Sequence, residues 1–273
     1  MQDRSVQVDI ARWEGGTGSA KRDHLAVEEP LEIRLAGEGL VVIMRTPGSD
    51  FELAAGFLFT EGIVTDRSQV AAMAYCEDES DPELKNIVEV YPPEGKKILP
   101  EGWQRQFFAS SSCGLCGKTS IDAVKIAAPP IEDSTRTPVE TLYRLPDRLR
   151  EAQAIFEETG GLHAAALFDE KGGLVVSRED IGRHNAVDKV IGWSLLEGRL
   201  PLTSHMLMVS GRASFEIVQK ALIARIPTLA AVSAPSSLAV DLARECNMTL
   251  VGFLRGNTLN VYSAEDRLVS KNN

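Results

Sequence analysis

Residues 206–221 read M-L-M-V-S-G-R-A-S-F-E-I-V-Q-K-A, and residues 228–245 read T-L-A-A-V-S-A-P-S-S-L-A-V-D-L-A-R-E. Each stretch opens with a short apolar run, breaks at small turn-forming residues, and resumes with apolar positions three and four apart. That pattern predicts a strand ending at Ser210, a helix from Ala213 to Ala224, a strand over 228–233 and a helix from Ser236 to Glu245. Strands that alternate with single helices imply right-handed crossovers, a mainly parallel central sheet and helices on both faces. Ligand sites in such sheets form at the carboxyl ends of strands, where the loops Ser210-Gly211-Arg212 and Ala234-Pro235-Ser236 lie.

The same rhythm extends both ways: a helix over 139–158, strands over 162–168 and 173–177, a helix from Arg183 to Glu197, and a last hairpin over 249–262. Upstream, residues 127–138, A-A-P-P-I-E-D-S-T-R-T-P, hold three prolines and a polar middle that suit neither helix nor central strand, and they read as a linker. A smaller N-terminal α+β domain over 27–126 is expected before it. Its parts are a hairpin from L-E-I-R-L-A (31–36) and L-V-V-I-M-R (40–45), a helix opened by Ser49 or Asp50, and a strand N-I-V-E-V-Y (86–91). Residues 1–26 are polar, with Gly-Gly-Thr-Gly-Ser at 15–19, and read as a loosely held arm without a fold. The C-terminal domain then covers 139–273.

The 273 residues carry 39 acidic against 29 basic side chains, a net charge of −10. That balance argues against a protein that coats nucleic acid, because neutralising phosphates needs a basic face. No stretch approaches the ~20 apolar residues that span a bilayer, and the N-terminus lacks a signal pattern. The expectation is a cytoplasmic protein with no nucleic-acid partner and no membrane insertion. Of four cysteines, two are close together and two, Cys76 and Cys246, stand alone, which is not a disulfide framework.

The close pair lies in S-S-S-C-G-L-C-G-K-T-S-I-D, residues 110–122. Gly117-Lys118-Thr119 resembles the end of a phosphate loop, but that loop needs a glycine at position 112, which is serine. A structural zinc needs four ligands, and the other candidates are two lone cysteines and the scattered His24, His163, His184 and His205, so no zinc is expected. Zinc-deaminase chemistry needs a His-x-Glu, and the sequence has none. Two readings of the residues stay open: a thiol–disulfide oxidoreductase, and a carrier on a mobile loop between two domains. Lys118 serves either one, because a nearby ammonium stabilises a thiolate at Cys113 or Cys116.

Three further stretches read as pocket pieces. Glu179-Asp180-Ile181-Gly182-Arg183-His184-Asn185 opens a helix, with His184 and Asp188 one turn apart and Arg183 and Lys189 as candidate phosphate holders. Ser210-Gly211-Arg212 joins a strand to a helix start, an arrangement suited to anions. Gly252-Phe253-Leu254-Arg255-Gly256-Asn257 combines a strand end, a cation and a turn. Each has the letters of an ordinary connection as well.

Taken together, S-C-G-L-C-G, G-L-H-A-A-A-L-F, E-D-I-G-R-H-N-A-V-D-K, S-G-R-A-S-F-E-I-V-Q-K and A-V-S-A-P-S-S-L-A-V-D-L-A resemble the FdhD/NarQ family of formate dehydrogenase accessory proteins. V-V-I-M-R-T-P and G-F-L-F-T-E-G-I-V match its N-terminal part, so the resemblance runs from about residue 27 to the C-terminus. It implies a sulfur carrier that takes sulfur from a cysteine desulfurase as a persulfide and passes it to the molybdenum cofactor, in its bis-guanine-dinucleotide form, before insertion into formate dehydrogenase. By the family's pattern Cys113 is the persulfide intermediate and Cys116 its partner. The cofactor segment falls on Leu254, Arg255, Gly256, Asn257, Thr258 and Leu259, with Arg183, His184, Ser210, Gly211 and Arg212 as further pocket residues. GDP-like nucleotides would use the same pocket. The resemblance also implies a homodimer and a C-terminal three-layer α/β/α domain like the cytidine deaminase fold, without deaminase activity. A disulfide oxidoreductase and a non-catalytic guanine-dinucleotide chaperone are the alternatives.

Overall fold

The computed structural model describes residues 3–76, 85–95, 129–132 and 135–270. The N-terminal half holds a hairpin of β1 (Ser5–Glu14) and β2 (Thr17–Ala26), then β3 (Glu29–Leu35), β4 (Glu38–Arg45), helix α1 (Asp50–Thr60), β5 (Ala72–Tyr75) and β6 (Ile87–Tyr91). The last four strands form one sheet in the order β4-β3-β6-β5. β3 and β4 meet through Ala36 and Gly37, both at positive φ, the backbone that a two-residue hairpin turn requires.

The C-terminal half opens with β7 (Thr137–Pro138), α2 (Val139–Tyr143), α3 (Leu145–Glu151) and α4 (Ala154–Thr159). It continues with β8 (His163–Asp169), β9 (Leu174–Asp180), α5 (Arg183–Leu196), β10 (His205–Val209), α6 (Phe215–Ile223), β11 (Thr228–Ala231) and α7 (Ser237–Glu245). It closes with β12 (Thr249–Arg255), β13 (Thr258–Ser263) and β14 (Leu268–Val269). Six strands form one sheet in the order β13-β12-β11-β10-β8-β9. Side chains alternate across it: Ala164, Ala166, Phe168, Met206, Met208 and Ala230 meet Leu142, Leu145 and Leu149 of α2 and α3. Ala165, Leu167, Leu207, Val209 and Leu229 meet the apolar sides of α5, α6 and α7. The result is a three-layer α/β/α stack, and the α/β class stands. Among the described residues no helix is long and apolar enough to cross a membrane.

Four expectations are corrected. The sheet is mixed: β10-β11 and β11-β12 are parallel, while β8-β9, β8-β10 and β12-β13 are antiparallel. A strand–helix–strand pattern fixes direction but not adjacency; β9 and β10, joined by α5, run the same way with β8 inserted between them. The expected helix over 139–158 is three short helices, with Pro146 in the first turn of α3 and Gln153 outside helical geometry at φ −95 and ψ 64. Residues 1–26 are not a fold-less arm, because β1 and β2 pair over ten residues each, with Glu158 on α4 binding both Ser5 and His24. Strand β5 is an addition the sequence reading lacked. Within 127–138, Ile131 is buried, its amide donates to Cys246 O, and Thr137–Pro138 pairs with β14.

The two halves share one apolar core along α1 and α5. Glycines set the approach: a Cβ on Gly56 would stand 1.9 Å from Asp188 O, and one on Gly192 would stand 1.8 Å from Glu52 O, so backbone meets backbone. Buried ion pairs bind the same seam. Asp188 accepts from Lys220 Nζ at 2.9 Å and Thr60 Oγ1 at 2.8 Å. Asp180 takes Lys189 Nζ at 2.7 Å, and that ammonium also donates to Thr46 O at 2.9 Å. Burial pushes the Asp188 carboxyl up; for Lys220 burial acts downward, but Asp188 and Glu61 outweigh it and the ammonium is held up.

Candidate functional site

Four strands deliver their carboxyl ends to one edge of the six-stranded sheet. β10, β11 and β12 run parallel, and β9, antiparallel to β8, ends at the same edge with Asp180 opposite His163. β9 therefore leads into α5, β10 into α6 and β11 into α7 at neighbouring points, while β12 turns there into β13. The start of α5 has no side-chain cap and leaves first-turn amides open to a ligand, whereas the Glu216 carboxylate takes its own amide in the first turn of α6 and Ser236 Oγ caps α7 through Ala239 N.

Short contacts stitch these pieces into one surface. His184 Nε2 lies 3.2 Å from Ser214 Oγ and 3.8 Å from Glu216 Oε2, tying the α5 start to the α6 start. A Cβ on Gly211 would stand 3.4 Å from His163 Nδ1, which places the β10–α6 loop against the first residue of β8. Ser210 Oγ accepts from Ala164 N, and Ser236 N donates to Ala213 O. Phe253 N donates to Ser233 O at 3.2 Å and Arg255 Nε to Val232 O at 3.2 Å, attaching the end of β12.

Arg183 and Arg212 bring positive charge to His163 on this edge. Burial pushes the His163 imidazole down, and the charges of Arg183 and Arg212 add to that effect. Arg183 Nε is buried with no hydrogen-bond partner among the described residues, a polar atom suited to an incoming acceptor. The Glu216 carboxyl is held down to about 2, first by His184. Open amides, arginines and a buried unpaired donor together can bind phosphate or carboxylate oxygens.

Arg183, His184, Ser210, Gly211, Arg212 and Arg255 thus come together on this edge. Lys189 does not: it is fully buried on Asp180, and burial pushes its ammonium down, so the phosphate role expected of it is withdrawn. Asp188, expected to share a face with His184, is spent on Lys220 and Thr60. In the segment 254–259, Leu254 is buried beside Leu142 and Leu145, and Leu259 packs on the same side. Gly256 takes φ 51 at the turn, Thr258 Oγ1 donates to Arg255 O, and Asn257 lines a cavity of about 580 Å³ in which Arg144 and Arg148 are balanced by Glu140, Asp147 and Glu151. Cys113, Cys116 and Lys118 lie outside the described residues. His163, Ser214 and Glu216 were missed at this edge; the usable signal was the strand–loop–helix punctuation around them, since sequence alone does not show that β8 starts where β10 ends.

The comparisons with known proteins agree along most of the chain. The FdhD/NarQ family matches residues 26–269. A protein of Streptomyces coelicolor named Sulfur carrier protein FdhD is 53% identical over 264 residues, covering 95% of this chain and 94% of its own. Proteins of that name from Mycolicibacterium paratuberculosis and Anaeromyxobacter dehalogenans are 51% and 46% identical, covering 95% and 92% of this chain and 97% and 90% of their own. A solved structure of a formate dehydrogenase accessory protein from Desulfotalea psychrophila superposes with a TM-score of 0.77 at 24% identity, over 98% of this chain and all of that one, and shows the same fold. The chain belongs to the FdhD/NarQ family.

Proposed function

We propose that this protein is a sulfur carrier that loads the molybdenum cofactor, in its bis-guanine-dinucleotide form, for formate dehydrogenase. The observation that carries the proposal is identity near one half, over nearly the full chain, to proteins named Sulfur carrier protein, together with Cys113-Gly-Leu-Cys116 in this sequence. The edge supports it, because a guanine dinucleotide presents diphosphates that the amides at the start of α5, Arg183 and Arg212 suit.

In the loading step the Cys113 thiolate attacks the outer sulfur of a desulfurase persulfide. An S–S bond forms on Cys113, the donor's S–S bond breaks, and the donor leaves as a thiolate. Lys118 raises the thiolate fraction. Delivery of the sulfur as sulfide takes two electrons, and Cys116 supplies them: its thiolate attacks Cys113 Sγ, a Cys113–Cys116 disulfide forms, and hydrosulfide leaves toward the metal. An external dithiol reductant returns two electrons and two protons to that disulfide by thiol–disulfide exchange, leaving as its own disulfide, and resets the carrier.

Incubation with a cysteine desulfurase and free cysteine, followed by mass spectrometry, tests the reading. Cys113 is expected to gain one sulfur atom that reductant removes, Cys113→Ser to gain none there, and Cys116→Ser to load but not release. No adduct on wild type, with a Cys113–Cys116 disulfide that exchanges with substrates, makes the protein an oxidoreductase instead. Full formate dehydrogenase activity in a strain carrying only Cys113→Ala/Cys116→Ala makes it a cofactor chaperone.

A further inference from the structure

Delivering sulfur also moves a proton. Hydrosulfide leaves Cys113 with a hydrogen on it, whereas the sulfur that stays on the metal is a sulfide. A metal lowers the proton affinity of any sulfur it binds, so this proton has to be carried off as the new bond forms.

The ionisable groups that face His163 are Arg183 and His184 of α5, Asp180 of β9 and Arg212 of the β10–α6 loop. None of the four is a free base. The arginines stay protonated at any working pH. Asp180 accepts from Lys189 Nζ, Asn185 Nδ2 and the amides of Thr46 and Gly182. His184 Nε2 is shared between Ser214 and Glu216, and Glu216, held down to about 2, binds a proton too weakly to serve.

His163 itself is uncommitted. It is the first residue of β8, fixed in the sheet opposite Asp180, and its half-buried ring hydrogen-bonds to no described residue. Burial, then Arg183, His184 and Arg212, hold it below its ordinary 6.5 against the pull of Asp180, so the imidazole is neutral at pH 7 and carries an open lone pair. Gly211 keeps a ring nitrogen within reach. A Cβ there would stand 3.4 Å from Nδ1, any longer side chain would lie over it, and no positive φ demands glycine at this position.

We propose that His163 is the general base of the delivery step and takes the proton that hydrosulfide sheds when it becomes a sulfide on the metal. The proposal rests on the reading of this protein as a sulfur carrier whose acceptor sits on this edge. The S–H bond breaks, an N–H bond forms on the imidazole, and the electron pair of the S–H bond stays on sulfur as a metal–sulfur pair. No electrons move beyond the two that Cys116 supplied. The imidazolium, disfavoured beside Arg183 and Arg212, passes the proton to bulk water and is ready again.

The test follows labelled sulfur from loaded Cys113 to the guanine-dinucleotide form of the molybdenum cofactor as a function of pH. Wild type is expected to transfer at a constant rate above pH 6.5 and more slowly as pH falls through the lowered value of His163, which the imidazole signal in NMR reads independently. His163→Gln is expected to load sulfur on Cys113 but to transfer it about a hundredfold more slowly, at a rate that climbs about tenfold per pH unit as solvent hydroxide replaces the imidazole. His163→Ala is expected to regain rate with added imidazole. A wild-type profile that ignores the His163 titration, or a His163→Gln profile of wild-type shape, overturns this role and leaves the carrier standing; the first comparison needs no variant to fold. Wild type that loads no sulfur, or keeps it in the presence of the cofactor, overturns the carrier reading and this role with it.

Discussion

Glu216 shows how far one residue was readable. In the sequence it is a charged position in the first turn of a helix; in the structure it lies beside His184, which reaches it from another helix. Its carboxyl falls from the usual 4.5 to about 2, with His184 the largest cause, then its own amide and Ser214 acting against burial. A lowered carboxyl adds stability above its unfolded value, and that stability is lost as pH falls through the folded value. The difference in unfolding free energy between wild type and Glu216→Gln is therefore expected to be about 1–2 kcal/mol at pH 6, allowing for solvent screening at a half-buried position. In urea titrations the difference shrinks steadily between pH 4.5 and about 2; a difference independent of pH would refute the His184–Glu216 contact. Lys189 makes the opposite point. Its letter beside Arg183 reads as a phosphate ligand, and only the depth of α5 in the core reveals it as the partner of Asp180.

At the scale of elements, local signals carried well and long-range ones did not. The strands and helices from Arg183 onward fall close to where apolar spacing puts them, because turn residues bound them. Helix α5 is an exception in kind: eleven of its fourteen residues are buried, including Asp188 and Lys189, so its pattern carries no clear face. Its packing against α1 depends on Gly56 and Gly192, glycines with no turn to make. In an exposed helix Gly→Ala gains about 1 kcal/mol from propensity. Here the new methyl of Gly192→Ala would enter the carbonyl of Glu52, and overpacking of this kind costs about 2–3 kcal/mol, so it wins. Chemical denaturation is expected to show Gly192→Ala less stable by about 1–2 kcal/mol, and a stabilised variant would mean that the two helices do not touch there. The β1–β2 hairpin was missed for the reverse reason, since its strands are mostly exposed and polar and bury no face that a period-two pattern would mark.

For the whole molecule, the α/β class and the edge of the sheet that gathers arginines followed from strand–helix order, whereas the pairing of β8 between β9 and β10 did not, since adjacency is decided by packing rather than by direction. A net charge of −10 on the chain works against binding polyanions over its surface. Passage of sulfur through Cys113 to the molybdenum cofactor, as proposed, is read by following the atom. The protein is loaded from isotopically labelled cysteine through a desulfurase, separated from the donor, and mixed with the guanine-dinucleotide form of the cofactor. Label is expected to leave Cys113 and appear as sulfide on the molybdenum, and Cys113→Ser is expected to transfer none. Label that stays on the protein while the cofactor still becomes active in formate dehydrogenase would contradict it.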